Sequence, residues 1–389
     1  MQAITRNKLL LATFLMTILY AFHYGIPLYV TSTYLHIYFG SSTISSLYVI
    51  ASLVTLLASI HIAKYIKKFH TYTFTMMLVI AEMIVMAAFA LTKNPILIGL
   101  FFVVHFCLQT LLYILINVFV ETFSKQANTG SVRGIFLVLL NLGILISPII
   151  GGAILTRGSF TALYIVSTMA LVPFMFFLHQ YLNHIEEPAY SSVDMISALK
   201  RAWKNKDLKG ALIASLMLNC FYAVMVIYSP IYLASLGIPL VIYLSVILPF
   251  ALLPFIILPY ELGWLADTKI GEKELMVLGL IIISVSLFLM VIVSTPNIIL
   301  WILILLFSRI GAACVETMTY TYYFKKISAE DTSLTALFSN TSIVATIIIG
   351  GLGFFINPLL TTYPQIIFII LGSVILFSIL YIIPIRDTR

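Results

Sequence analysis

Twelve runs of about twenty apolar residues, parted by short charged turns, fix what this 389-residue chain can become. Crossing the hydrocarbon core of a bilayer takes roughly 20 apolar residues in a helix. Within that core no water is present to bond backbone N–H and C=O groups, so each crossing must satisfy them internally. A β-barrel would instead show short alternating strands, and no such pattern occurs here. Hydrophobic residues make up 62% of the chain and charged residues 9%, too little polar surface for a soluble domain of this size. The expectation is an all-α polytopic membrane protein with spans near 9–30, 43–62, 72–92, 95–120, 134–156, 160–182, 210–234, 239–260, 275–294, 296–320, 334–357 and 363–384.

The net charge of +7 does not point to nucleic acid, because the basic residues are grouped by position. Arg6/Lys8, Lys64/Lys67/Lys68, Lys125/Arg133, Lys200 to Lys209, Lys269/Lys273, Lys325/Lys326 and Arg386/Arg389 fall at the two termini and after even-numbered segments. These positions hold 18 of the 21 Lys and Arg, and the opposite loops hold only Lys93 and Arg157. Lysine and arginine concentrate on the cytoplasmic side of membrane proteins. The pattern therefore predicts a multi-pass protein of a cell membrane (inner or plasma) with both termini cytoplasmic. The apolar run after Lys8 is too long for a signal peptide and reads as the first span. Cys107, Cys220 and Cys314 all lie inside apolar segments, where soft packing is the default role.

The charged stretch 183–209 divides the chain into an N-terminal six-helix bundle, 1–182, and a C-terminal one, 210–389. It includes Glu186, Glu187 and Asp194 and reads as a cytoplasmic linker. The halves share landmarks: Leu15-Met16, Tyr20-Ala21 and Pro27-x-Tyr29 recur as Leu216-Met217, Tyr222-Ala223 and Pro230-x-Tyr232. Pro95 pairs with Pro296, and Gly151-Gly152 with Gly350-Gly351, so the offsets all lie between 199 and 203. Parallel repeats of this kind, pseudo-symmetric about the membrane normal, are a transporter plan.

Two motifs sharpen the reading. The stretch Gly263-Trp264-Leu265-Ala266-Asp267-Thr268-Lys269-Ile270-Gly271-Glu272-Lys273 resembles the G-x-L-A-D-x-x-G-x-K loop signature of the major facilitator superfamily. Its first-half counterpart, residues 62–68, keeps the lysines but lacks the glycines and aspartate. Gly143-x-x-x-Ser147-Pro148-x-x-Gly151-Gly152 resembles the G-x-x-x-G-P-x-x-G-G motif of that superfamily's drug/proton antiporters, with Ser147 in a glycine's place. Small residues four apart let helices approach closely, so Gly143, Pro148, Gly151 and Gly152 also suit a plain packing seam. Asp267 and Lys273, with Gly263 and Gly271, suit either a conformational latch or a tight charged turn.

The resemblance implies that segments 1, 4, 7 and 10 line a central cavity. The polarity within those segments supplies the candidates for solute and proton: Tyr20 and His23 in segment 1; His105, Gln109 and Asn117 in segment 4; Asn219 and Tyr222 in segment 7; Arg309 and Glu316 in segment 10. Charges at membrane depth cost roughly 2.5–3.5 kcal/mol each on insertion scales and are functional candidates by default. Arg309 would contact an anionic or polar solute group or hold a carboxylate charged, or else form a structural ion pair with Glu316 or another helix. Glu82, central in segment 3, has no basic residue on its own helix and is either a proton carrier or a hydrogen-bonded packing residue. His23 and His105 titrate near neutrality if wet, and otherwise pack as hydrogen-bonders.

These readings imply a monomeric secondary transporter, not an enzyme, with a small-molecule substrate, protons as coupling ion and the lipid bilayer as its surroundings. No cofactor or metal is called for. No G-x-x-x-x-G-K-[ST] phosphate loop occurs in the sequence. The antiporter-like motif favours proton-coupled efflux of drug-like or amphipathic compounds. A sugar or metabolite carrier of the same fold is the alternative, because Gln109, Asn117 and Asn219 could bond hydroxyls. From other classes, a non-transporting sensor or scaffold would do without titratable groups in its cavity. An intramembrane enzyme would need a compact catalytic set.

Overall fold

The backbone meets the demand of hydrocarbon with helices throughout. The computed structural model describes residues 2–124, 129–183, 194–327 and 331–386, and among these there is no strand. Lys125, Glu186, Glu187 and Arg389 lie outside the described residues, as do the side chains of Arg6 and Arg133. Eleven helical segments are long and apolar enough to span a membrane: Lys8–His36, Ser41–Phe69, Thr71–Leu91, Pro95–Phe123, Gly134–Arg157, Phe160–Leu182, Lys206–Ile227, Leu240–Thr268, Glu272–Ile292, Ile298–Lys326 and Ser333–Phe355. A shorter apolar helix, Ile366–Ile382, is the twelfth. The chain is thus an all-α, twelve-helix membrane protein. Ile84, Leu91 and Phe355 are exposed, as lipid-facing residues should be.

Several segments differ from plain rods for local reasons. Segment 8 contains Pro249, Pro254 and Pro259 at five-residue steps. Each lacks a backbone donor and crowds the carbonyl four residues earlier, and the turn before the first, Tyr243–Ile247, widens to a π-helical one. Segment 8 also runs helically to Thr268. The Gly263–Thr268 stretch, expected as loop, is therefore helix, and the turn comes at Gly271, whose φ of 106° suits glycine.

The helices form two compact units. One comprises Met1–Tyr38 and Ile50–Ser191, the other Phe39–Val49 and Ser192–Arg389. In the first, Leu112, Phe119, Phe174 and Leu178 are fully buried. Segments 1 and 5 cross closely there: a Cβ on Gly25 would meet Ser147 Oγ at 2.6 Å, and one on Gly143 would collide with the Ala21 side chain. In the second unit, Trp301, Tyr322 and Phe368 are fully buried. Segments 9 and 10 approach backbone to backbone there: a Cβ on Gly279 would meet Gly311 O at 2.6 Å and the reverse contact would be 2.7 Å.

Candidate functional site

Three of the intramembrane candidates meet in the first unit. Segment 3 carries Glu82 to mid-span, segment 1 brings His23 and segment 4 brings His105; all three are buried. His23 Nε2 lies 2.9 Å from Glu82 Oε1, and His105 Nδ1 lies 2.5 Å from the same oxygen. Glu82 Oε2 is buried and meets no hydrogen-bond partner. A carboxylate this deep is costly unless paired, and the two imidazoles supply the pairing that no residue on its own helix could.

The donor arithmetic of this cluster is constrained. On its far side His23 Nδ1 faces the Ser167 carbonyl oxygen at 3.1 Å. A carbonyl only accepts, so Nδ1 carries a hydrogen. The Ser167 hydroxyl cannot reverse this, because its proton goes to the His23 carbonyl at 2.7 Å. With Nδ1 protonated, neutral His23 presents a lone pair at Nε2, and a carboxylate presents another at Oε1. Their 2.9 Å contact therefore requires a proton between them, on one or the other. With His105 neutral and donating through Nδ1, the cluster holds one dissociable proton and no net charge.

The same donor atoms lie within 4.8 Å of one another, close enough for His23, Glu82 and His105 to be considered as metal ligands. Tetrahedral zinc with bonds of about 2.0–2.1 Å holds its ligand atoms about 3.3 Å apart. The two contacts to Oε1 are shorter than that, the spacing of shared protons. Beside the cluster, Phe89 lies near-parallel to the His105 ring at 6.4 Å. One turn along segment 1, Tyr20 OH donates to the Gln109 carbonyl at 3.0 Å, and its ring stacks near Tyr24 and Tyr113. Asn117 Nδ2 donates to its own helix at the Tyr113 carbonyl.

Arg309, in the second unit, is 1% exposed. Its guanidinium sits 4.9 Å from the centre of the Phe221 ring, and Nη1 donates to Ser308 Oγ at 3.2 Å. Nη2 is buried without an acceptor. The alternative role for Arg309, an ion pair with Glu316, is not formed, nor does Arg309 make any other ion pair among the described residues. Seven residues separate the two by about 10.5 Å along the helix axis. Glu316 Oε2 instead accepts from Tyr222 OH at 3.1 Å. Asn219 Nδ2 is shared between the Ser215 carbonyl and Thr341 Oγ1.

The remaining motif residues act at helix ends and crossings. Asp267 Oδ1 accepts from Lys325 Nζ at 3.3 Å, and Glu272 Oε1 from the same ammonium at 2.7 Å. Lys273 pairs with Glu274. A side chain at Gly263 would meet open space, so packing does not require a glycine there. Gly143, Ser147 and Gly151 line the face of segment 5 that meets Ala21, Gly25 and Ile26, with Pro148 inside the helix and Gly152 buried. Sequence reasoning missed Ser167, Phe221 and Gly279. Ser167 acts through a backbone carbonyl and Phe221 through a ring face, which no residue pattern announces.

Twelve apolar helices, with titratable groups buried at mid-span, define a polytopic membrane protein. A sequence model of the Major Facilitator Superfamily matches residues 9–351, and the chain belongs to that superfamily, whose fold is that of secondary transporters. No curated protein sequence matches it. Two crystal structures share the fold at 15% identity. The nucleoside transporter NupG superposes with a TM-score of 0.77 over 96% of this chain and 99% of that one. A POT family transporter in complex with 5-aminolevulinic acid gives 0.73, over 97% and 95%.

Proposed function

We propose that this protein is a proton-coupled secondary transporter whose coupling proton resides in the His23–Glu82–His105 cluster. The observation that carries the reading is the Ser167 carbonyl, which fixes His23 Nδ1 as a donor and so obliges a proton at the Nε2–Oε1 contact. Losing that proton leaves two lone pairs opposed at 2.9 Å and a net negative charge in apolar surroundings. Deprotonation therefore favours parting His23 from Glu82, which links proton release to a movement of segment 1 against segment 3. A ligand shifts a conformational equilibrium only by its differential affinity for the two states, and the proton has such a difference here.

The solute in this reading is a small amphipathic compound bearing an anionic or acceptor group for Arg309 Nη2, moved by alternating access. Export is the direction favoured by the likeness of Gly143 to Gly152 to the antiporter motif. A second reading, a carrier of polar metabolites, draws support from the same free guanidinium nitrogen. It also draws on the neighbours, one a nucleoside transporter and one a transporter in complex with 5-aminolevulinic acid. In either case the protein works as a monomer in a cell membrane with both termini cytoplasmic.

The test uses proteoliposomes and a solute identified by thermal shift against a compound library. An imposed pH gradient should drive flux in the wild type. Glu82→Gln should abolish gradient-driven flux while leaving solute counterflow, because glutamine keeps the shape but carries no dissociable proton. Gradient-driven flux that survives Glu82→Gln would remove the cluster from coupling.

A further inference from the structure

Outside the spans, the linker helix Met195–Lys204 displays a face that hydrocarbon-like surroundings would suit. It is anchored on two sides. Ala198 and Ala202 are fully buried, Asp194 caps its first turn through Ser197 N, and Arg201 forms a two-pronged bond to Asp331 at 2.6 and 3.1 Å. On another face Ile196, Leu199 and Trp203, spaced three and four apart, form one stripe and are exposed by 70%, 47% and 57%. Lys200 and Lys204 border that stripe and make no ion pair among the described residues. An exposed apolar stripe edged by lysines is the signature of a helix lying in a membrane interface.

Behind it opens a groove of about 320 Å³ between this helix and segments 7 and 12. Trp203 and Tyr381 stand at its mouth, and Lys209 Nζ lies between them, 4.9 Å from one ring and 5.1 Å from the other. Lys209 also makes no ion pair among the described residues. Farther along the same wall come Ile213, Met217 and Phe377. From Lys209 to Met217 the helix rises about 12 Å. The order of chemistry along that rise is cation, interfacial aromatics, then aliphatic wall. A phospholipid presents the complementary order of phosphate, glycerol and acyl chain. An inorganic anion would leave the apolar wall unused, and a neutral lipid would leave Lys209 without a counter-charge.

We propose that the linker helix lies in the headgroup layer and that this groove binds one anionic phospholipid, its phosphate on Lys209 and an acyl chain along segments 7 and 12. The site is independent of the transport reading above. The chain has three tryptophans, and Trp301 is fully buried. A Trp264→Phe variant therefore leaves Trp203 as the exposed reporter. Full-length protein is reconstituted in phosphatidylcholine vesicles containing graded amounts of dibrominated phosphatidylglycerol or dibrominated phosphatidylcholine.

The anionic lipid should half-quench Trp203 at a mole fraction about fivefold lower than the zwitterionic one, the factor one lysine contributes near an anionic surface. Lys209→Gln should erase that preference and Lys209→Arg should keep it, which separates lost charge from a damaged fold. Coincident quenching curves for the two lipids would overturn the anionic site. A Trp203 emission untouched by either lipid would overturn the placement of the helix.

Discussion

Glu82 shows how a single residue can be both a cost and a device. Its Oε1 is claimed by two histidines while Oε2 has no partner, an imbalance that a purely structural carboxylate would rarely retain. The proton logic makes a discriminating prediction at Ser167. Because the backbone carbonyl orients His23, Ser167→Ala removes the hydroxyl bond to the His23 carbonyl and the longer 3.3 Å contact of Oγ with Nδ1, and leaves the carbonyl acceptor in place. That should cost about 1 kcal/mol, read as a modest drop in thermal stability, with gradient-driven flux intact. Lost coupling in Ser167→Ala would mean that the hydroxyl, not the carbonyl, sets the tautomer. Arg309 yields the converse prediction. Removing one partner of a buried ion pair costs about 3–5 kcal/mol, but Arg309 has no such partner. Arg309→Met should therefore leave the melting temperature nearly unchanged while weakening solute binding at least tenfold, measured by thermal shift titration. Collapse of the fold would reveal a structural role.

Among the elements, helix identity was legible in the sequence and helix detail was not. Apolar length fixes a span because hydrocarbon gives an unsatisfied backbone no other partner. Where a helix stops, by contrast, depends on what its last turns touch. Segment 8 continues past the expected 260 to Thr268, and Asp267 in its last turn meets Lys325 at the end of segment 10. The break at Asn340 likewise carries no proline or glycine to announce it, whereas Pro173, crowding the Met169 carbonyl, does announce the one at Ala170. The site was legible residue by residue: His23, Glu82 and His105 are each visible as polar groups at membrane depth. Their meeting was not, since 59 and 23 residues separate the histidines from Glu82. Helical spacing relates only residues on one helix. Two predictions belong here. Gly311→Ala should destabilise the second unit by roughly 1–3 kcal/mol, since the added methyl meets the Gly279 carbonyl oxygen and the β-branched Ile282, neither of which can turn aside freely. Thermal unfolding in detergent reads this directly. The Arg201–Asp331 bond holds the Asp331 carboxyl below the usual range. A depressed carboxyl stabilises above its unfolded value of about 3.9 and loses that contribution as pH falls through the folded value. Amide exchange in Met195–Lys204 should therefore be flat from pH 7 to about 5, after correction for intrinsic rates, and accelerate below about 4. Asp331→Asn should show the faster exchange at every pH.

For the whole molecule, the charge pattern and the helix count make one joint claim that labelling can test. Lys67 follows segment 2, Lys93 follows segment 3 and Lys269 follows segment 8, and all three side chains are exposed. Six spans separate Lys67 from Lys269, an even number, and one separates Lys67 from Lys93. The three native cysteines are buried, so single cysteines can be introduced against a quiet background. A membrane-impermeant maleimide should label Lys67→Cys and Lys269→Cys from one face only and Lys93→Cys from the other. The physical reason is that lysine-rich loops resist translocation while short uncharged ones do not, so the basic loops are expected on one face. Opposite labelling of positions 67 and 269 would require an odd number of crossings between them. One of the six intervening helices would then have to lie outside the bilayer, and the paired halves, with the alternating access built on them, could not stand.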